Sequence, residues 1–161
     1  MPNPQRITSD WVVTTLPAGK GAEGFDLSPN GKELWVANAQ DGTVSIIDPI
    51  GRKLLETVTV PLKSTNRLKF TLDGARVVMS DLRSNLVLVL DAATRKEITR
   101  IDMGADATMM AGTLMDPDGS RVFVSVGSKN AVAVIDLKTL AISGWIQSGP
   151  GPDGLAWAVQ K

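Results

Sequence analysis

The side chains of this sequence that can do chemistry are acidic, amide and guanidinium groups, and six of them are candidates for a binding site: Glu23, Asn66, Arg67, Arg83, Asp106 and Asp153. Carboxylate and amide oxygens together suit a hard cation or a polar ligand. Arg67 and Arg83 can together clamp a carboxylate. The alternative for each candidate is an ordinary role as a solvated loop residue or a strand cap. For the arginines, that role is an ion pair with Asp81 or Asp106.

Two residue types that dominate enzyme active sites are absent from the sequence. It contains no cysteine and no histidine among its 161 residues. Their absence excludes Ser-His-Asp and Cys-His mechanisms, disulfides and thiolate metal sites. Glu23 with Asp153 is the one carboxylate pair to test against the two acids that a glycosidase needs. We therefore predict no catalytic centre, no metal site and no cofactor.

The charge and hydropathy patterns restrict the partners. With 17 basic and 17 acidic side chains the formal net charge is zero, and no cluster of Lys and Arg exceeds two neighbours. This pattern lacks the basic patch of a nucleic-acid-binding protein. No apolar run approaches the ~20 residues of a membrane span, and the first residues have no apolar core of a signal peptide. We predict no nucleic-acid partner, no membrane span and no signal peptide in this chain.

An internal repeat positions the candidate residues. Residues 23–48, 66–91 and 111–136 align without a gap, and their turn glycines lie 43 and 45 residues apart. Such offsets are typical of a four-stranded propeller blade, whose period is about 40 to 45 residues. The alignment gives one equivalent position, at the start of the first strand of a repeat, to Glu23, Asn66, Ala111 and Asp153. The next position holds Gly24, Arg67, Gly112 and Gly154.

The residues within each repeat indicate strands. Turn signals such as Pro-Asn-Gly at 29–31 and Pro-Asp-Gly at 117–119 precede β-branched runs such as 33–38 and 121–126. Continuous Val, Ile and Leu runs indicate strands that are covered on both faces. An aspartate ends the third strand of every repeat, and we predict that it caps the following turn rather than binding a metal: Asp48, Asp91 and Asp136.

The predicted fold is an all-β β-propeller with four-stranded antiparallel blades. Three blades are complete and one is split between the termini. The predicted divisions are a tail (1–10), an outer strand of the split blade (11–19), three blades (20–61, 62–104 and 105–149) and an inner strand (150–161). Either the chain is the C-terminal part of a longer propeller, or copies of it associate to complete a ring, because an open array exposes apolar faces and strand edges.

Three segments resemble YVTN-type β-propeller repeats, and are thus WD40-like in general form. They are SPNGKELWVANAQDGTVSIID (28–48), DPDGSRVFVSVGSKNAVAVID (116–136) and PDGLAWA (152–158). The motif itself is WVAN at 35–38 and degenerates to VMSD and FVSV in the later repeats. The resemblance implies a periplasmic or extracellular setting for a full-length parent. It also covers lactonase-like enzymes and reductase propellers, whose histidines or bound cofactors have no counterpart here.

The resemblance implies ligand binding at the top face. We define the top face by the loops that join the fourth strand of a repeat to the next first strand, and the second strand to the third. The predicted function is a non-enzymatic scaffold that contacts a polar small molecule or a protein there. The alternatives are a lactonase-like or metal-assisted hydrolase using Glu23, Arg67 and Asp153, and a purely structural repeat module.

Overall fold

A computed structural model describes residues 13–158, and its regular structure is three four-stranded sheets. Sheet 1 contains β1 (Ala22–Leu27), β2 (Leu34–Asn38), β3 (Thr43–Asp48) and β4 (Lys53–Thr59). Sheet 2 contains β5 (Thr65–Phe70), β6 (Arg76–Asp81), β7 (Leu86–Asp91) and β8 (Glu97–Asp102). Sheet 3 contains β9 (Met110–Met115), β10 (Arg121–Val126), β11 (Ala131–Asp136) and β12 (Ala141–Gln147). One 3-10 turn, Gly127–Lys129, joins β10 to β11.

Within each sheet the strands follow their order in the chain and pair antiparallel. The prediction of an all-β fold with four-stranded antiparallel units is therefore confirmed, and the arrangement is propeller-like. Pairing is irregular at the same place in the first strand of each sheet, next to residues 23, 66 and 111. A bulge at this point changes the direction of the local side chains. Two of these irregularities fall on the candidate positions Glu23 and Asn66, and the third falls on Ala111, which is equivalent to them in the repeat.

The core consists of two apolar layers between stacked sheets. Trp35 and Ile46 of sheet 1 pack against Leu68, Met79 and Leu88 of sheet 2 in the first layer. The second layer joins the opposite face of sheet 2 to sheet 3, with these residues among its members: Val78, Val87, Val89, Val122, Val124 and Ile135. The third strands are covered on both faces, as their continuous apolar runs predicted.

The repeated aspartates cap turns, as the sequence predicted. Asp48 Oδ1 accepts hydrogen bonds from the backbone amides of Ile50 and Gly51 at 3.0 and 2.8 Å. Asp91 and Asp136 each accept two backbone amides and a threonine hydroxyl in the same way. Bonds from the backbone amides of Thr94 and Thr139 lower the pKa values of Asp91 and Asp136 below their usual range.

Two contacts between neighbouring sheets recur at the end of the described chain. Ser80 Oγ on β6 donates to the carbonyl of Ala111 at 3.4 Å, and Ser125 Oγ on β10 donates to that of Asp153 at 2.7 Å. The rings of Trp35 and Phe70 pack edge-to-face with their centroids 5.4 Å apart. The rings of Phe123 and Trp157 pack in the same way at 5.3 Å. Residues 153–157 therefore contact sheet 3 in the same way as the first strand of each following sheet contacts the sheet before it.

The terminal strands that the sequence predicted are not seen as strands. No strand is assigned to residues 13–18 or 152–158, because neither segment has a ladder partner within the described chain. The predicted tail at 1–10, positions 11 and 12 of the predicted outer strand and positions 159–161 lie outside the described residues. Trp145, on the outer strand β12, is 38% exposed.

Replacing Gly112 with alanine tests the contact between sheet 3 and residues 153–157. A Cβ at this position would lie 2.0 Å from the carbonyl oxygen of Asp153, so the segment must move away. We expect a loss of about 1–3 kcal/mol in the free energy of unfolding in urea and a red shift in the emission of Trp157. Gly154→Ala is the control, since its Cβ would meet no atom of residues 13–158, apart from its chain neighbours, within 4 Å. Equal effects of the two substitutions would contradict the docked position of the segment.

Candidate functional site

The loops of the top face are joined by a buried carboxylate. Asp81, at the end of β6, is fully buried. It accepts the backbone amides of Lys63 and Ser64 at 2.7 and 3.0 Å, that of Arg83 at 2.8 Å, and the hydroxyl of Ser84 at 2.7 Å. Four donors satisfy a charge that would otherwise be costly to bury. Asp81 therefore fixes the β4–β5 loop against the β6–β7 loop, and the top face has a defined shape there.

Three of the predicted site residues meet on this face, and we call them the Arg67 cluster: Glu23, Asn66 and Arg67. An Arg67 terminal nitrogen, Nη1, lies 2.9 Å from Glu23 Oε1 and donates to Asn66 Oδ1 at 3.0 Å. The Asn66 amide group in turn donates to the backbone carbonyl of Met110 at 3.4 Å. The cluster therefore links sheet 1 to sheet 2 through the guanidinium and sheet 2 to sheet 3 through the Asn66 amide. Arg67 pairs with Glu23 rather than with the aspartates that the sequence suggested.

The Arg67 cluster keeps part of its binding capacity free. Only Nη1 of the guanidinium has hydrogen-bond partners among residues 13–158, whereas Nε and Nη2 have none. The side chains of Arg67 and Glu23 are 34% and 47% exposed, so the ion pair between them contributes little to stability. Asn66 is buried and holds the guanidinium in place. The free edge has the fork geometry that binds a carboxylate with two parallel hydrogen bonds.

Arg83 is exposed, and its backbone amide bonds to Asp81. Its side chain takes part in no ion pair or hydrogen bond within the described part of the chain. Asp153 contributes its backbone carbonyl to Ser125, and its carboxylate is exposed without an ion pair to any residue from 13 to 158. The structure thus gives neither residue a contact with the Arg67 cluster.

Asp106 belongs to a different part of the top face. Its carboxylate lies 2.5 Å from Lys129 Nζ, and its backbone carbonyl accepts the hydroxyl of Ser128 at 2.8 Å. The hydrogen bond from the Lys129 ammonium lowers the pKa of Asp106 below its usual range. The same Ser128 hydroxyl accepts the backbone amide of Thr108 at 2.8 Å and shares its hydrogen with the Thr108 carbonyl at 2.9 Å, so the β8–β9 loop is fixed to the β10–β11 turn.

No group of three or more acidic side chains converges on a possible cation position among residues 13–158. The candidate hydrolytic set of Glu23, Arg67 and Asp153 is not assembled within this range. Arg67 forms an ion pair with Glu23 but none with Asp153. Within the same range, no helix is long and apolar enough to cross a membrane.

Sequence reasoning did not bring Lys129 and Trp145 together with Asp106. Lys129 Nζ lies 5.4 Å from the ring centroid of Trp145, which is half-exposed beside the same ion pair. The repeat gave no signal for this group, because the positions equivalent to Trp145 hold Thr57 and Arg100. The pairing of Trp145 with Ala133 across β11 and β12 was needed to place its ring next to the loops.

The comparisons with known proteins support the fold. No family model and no curated protein matches the sequence. Among solved structures, a chain of the Kuenenia stuttgartiensis hydrazine synthase is similar, with a TM-score of 0.76 and 25% sequence identity over 88% of this chain. The match spans 40% of that chain, so this protein corresponds to less than half of it. The likeness is consistent with a propeller-like, all-β protein of stacked four-stranded sheets.

The ion pair of Asp106 predicts a pH-dependent signal. The depressed pKa means that stabilisation from this pair is present above the usual aspartate pKa and is lost as the pH falls through the folded-state value. Lys129→Met removes the ammonium, and we expect the titration midpoint of Asp106, followed by the NMR shift of its carboxyl carbon, to rise towards the ordinary value.

Lys138→Met is the matched control, since backbone bonding rather than Lys138 is the main cause of the low pKa of Asp136. Its effect on Asp136 is expected to be small. An unchanged Asp106 midpoint in Lys129→Met would contradict the ion pair.

Proposed function

We propose that this chain is a section of a YVTN-type β-propeller and that it acts as a non-enzymatic binding scaffold whose top face contacts a polar ligand or a protein partner. Each four-stranded sheet is one blade of this propeller. The observation that carries the binding function is the Arg67 cluster, in which a guanidinium is positioned by two neighbours while its Nε and Nη2 edge faces no partner among residues 13–158.

The propeller assignment draws support from residues 153–157. They repeat the serine-to-carbonyl bond and the edge-on aromatic pair that join complete sheets, so they take the position of an inner strand in a further blade. Gly112 packs closely on the backbone of Asp153, as Gly24 packs on that of Asn66. In both places a Cβ on the glycine would lie within 2.5 Å of the facing carbonyl oxygen. This correspondence favours a split blade over an unrelated C-terminal extension.

The binding function draws support from the chemistry of the Arg67 cluster. A carboxylate of a ligand or of a partner protein can take the free edge of the guanidinium without displacing Asn66, and Glu23 competes with it only at Nη1. The hydrolytic alternative has no comparable observation in its favour.

The binding proposal is tested with succinate as the probe, titrated into the 15N-labelled chain. We expect saturable shifts of the backbone amides of Glu23, Gly24 and Arg67. Glu23→Gln removes a competing carboxylate and should strengthen binding. Arg67→Ala removes the guanidinium and should weaken binding at least about tenfold, equivalent to about 1.4 kcal/mol.

Arg100→Ala is the control, because this arginine is similarly exposed but pairs with Glu97 on the outer strand β8. The proposal is overturned if succinate produces no shifts near residue 67 in either the parent or Glu23→Gln, or if Arg67→Ala and Arg100→Ala behave alike.

Self-association is a separate proposal that depends on the outer face of sheet 1. Phe25 and Leu27 are 65% and 48% exposed on β1, at positions where an inner strand of the array presents apolar groups. Exposed apolar side chains at the open end of a repeat array favour contact with another blade.

The measurement is the mass of the purified chain by light scattering during size exclusion. We expect a value of at least twice the 17.1 kDa of one chain, falling to 17.1 kDa in Phe25→Ser/Leu27→Ser. Circular dichroism should show retained strand content in the variant. A folded monomer in the parent chain would refute completion of the ring by copies of this chain.

A further inference from the structure

A groove on the top face lies beside Asp106 and separately from the Arg67 cluster. It has a volume of about 350 Å³ and is lined by Asp106, Lys129, Ala131, Trp145 and Gln147. These residues come from the β8–β9 loop, the β10–β11 turn and the strands β11 and β12 of sheet 3. The volume is of the size that holds one small-molecule ring.

The indole of Trp145 forms the apolar part of the groove. Trp145 is paired with Ala133, whose side chain belongs to the core between sheets 2 and 3, so the indole lies on the side of sheet 3 that faces sheet 2. Its partial exposure leaves apolar ring surface in contact with water. Burying such a surface against a ligand is favourable, and a tryptophan offers it with little loss of conformational entropy.

The polar groups around the indole have bonding capacity to spare. Lys129 has three donors and uses one of them on Asp106. One oxygen of the Asp106 carboxylate and the whole amide group of Gln147 have no side-chain hydrogen bond within the described part of the chain. The groove therefore offers donors and acceptors next to an aromatic surface. Ser128 bonds the backbone carbonyl of Asp106, and Lys129 bonds its carboxylate, so both the loop and the acceptor that it carries have partners within the chain.

Charge restricts the class of ligand. Asp106 and Lys129 neutralise each other, so an anion approaching the ammonium would also meet the carboxylate. An organic cation on the indole would be repelled by the Lys129 ammonium, which lies 5.4 Å from the centroid of that ring. A wholly apolar ligand would desolvate Asp106, Lys129 and Gln147 without replacing their hydrogen bonds to water. A neutral ring with an apolar C–H face and a hydroxylated edge satisfies every group.

The groove is also not a product of the repeat. Residues that serve the architecture common to the repeats recur in equivalent positions, as the three turn aspartates do. The positions equivalent to Lys129 hold Asp41 and Ser84, and those equivalent to Gln147 hold Thr59 and Asp102. The β8–β9 loop that carries Asp106 is two residues longer than its counterpart before Asn66. A non-repeated constellation on a fixed loop has no role in the common blade packing.

We propose that this groove binds a neutral saccharide ring, with a C–H face of the ring stacked on Trp145 and its hydroxyl groups bonded by Asp106, Lys129 and Gln147. This inference goes beyond the proposed function, because the groove contains neither Arg67 nor Glu23. The groove also binds a different class of ligand.

The test titrates three neutral trisaccharides, maltotriose, cellotriose and triacetylchitotriose, into the 15N-labelled chain. We expect at least one of them to shift the indole N–H resonance of Trp145 saturably, with a dissociation constant of about 0.1–10 mM for a small open groove. The indole resonances of Trp35 and Trp157 should stay in place. Trp145→Ala should weaken binding at least about tenfold, whereas Trp145→Phe should keep part of the affinity.

Asp106→Asn distinguishes a hydrogen-bonded ring from nonspecific stacking, because it keeps the shape of the side chain but removes the charged acceptor; we expect weaker binding of the same trisaccharide. Trp157→Phe is the control for a half-exposed tryptophan elsewhere and should leave binding unchanged. Succinate binding at Arg67 should persist in Trp145→Ala, which separates this inference from the proposed function.

The inference is overturned if none of the three sugars shifts the Trp145 indole at 20 mM (about twice the upper limit of the expected dissociation constant). It is also overturned if binding survives Trp145→Ala in a chain whose circular dichroism is unchanged, or if succinate rather than a sugar shifts this resonance.

Discussion

The constraint on which this structure depends is that a four-stranded sheet with apolar residues on both faces must be covered on both faces. The third strands β3, β7 and β11 show it most directly, because their central residues are buried on either side. One sheet of this kind cannot be stable alone in water, and stacking converts its two exposed faces into interior. Sheet 2 satisfies the constraint completely, between the two apolar layers.

The same constraint explains the ends of the array. On the outer face of sheet 3, Phe123, Val132 and Val134 are covered by a segment that contributes Leu155 and Trp157. On the outer face of sheet 1, Phe25 remains exposed. An exposed apolar sheet face is stabilised when neighbouring chain covers it. The contacts of residues 153–157 have the geometry of a further inner strand. The end faces are therefore the surfaces at which the proposed association with further blades is to be sought.

The direction of the strands separates the polar loops of the top face from this packing. Antiparallel order within each sheet brings the β4–β5 and β8–β9 loops to the same end as the β2–β3, β6–β7 and β10–β11 loops. Polar side chains gather there because loop backbone and charged groups need water or mutual partners. The top face accordingly carries two polar sites of different chemistry. The Arg67 cluster offers a free guanidinium edge, and the groove beside Trp145 offers an indole surrounded by a neutralised ion pair.

The sequence by itself determined the repeat, the four-strand unit and the turn aspartates, because these depend on local patterns: apolar runs, turn glycines, and an Asp that bonds the amides two and three residues ahead. It also selected Glu23, Asn66 and Arg67, since equivalent positions in a repeat lie at one end of the fold. Only the tertiary structure decided that Arg67 pairs with Glu23, and that Asp106 pairs instead with Lys129, whose ammonium lies over the ring of Trp145. Those contacts depend on strand register, on bulges and on the reach of long side chains across 23 to 44 residues of chain, which no local pattern encodes.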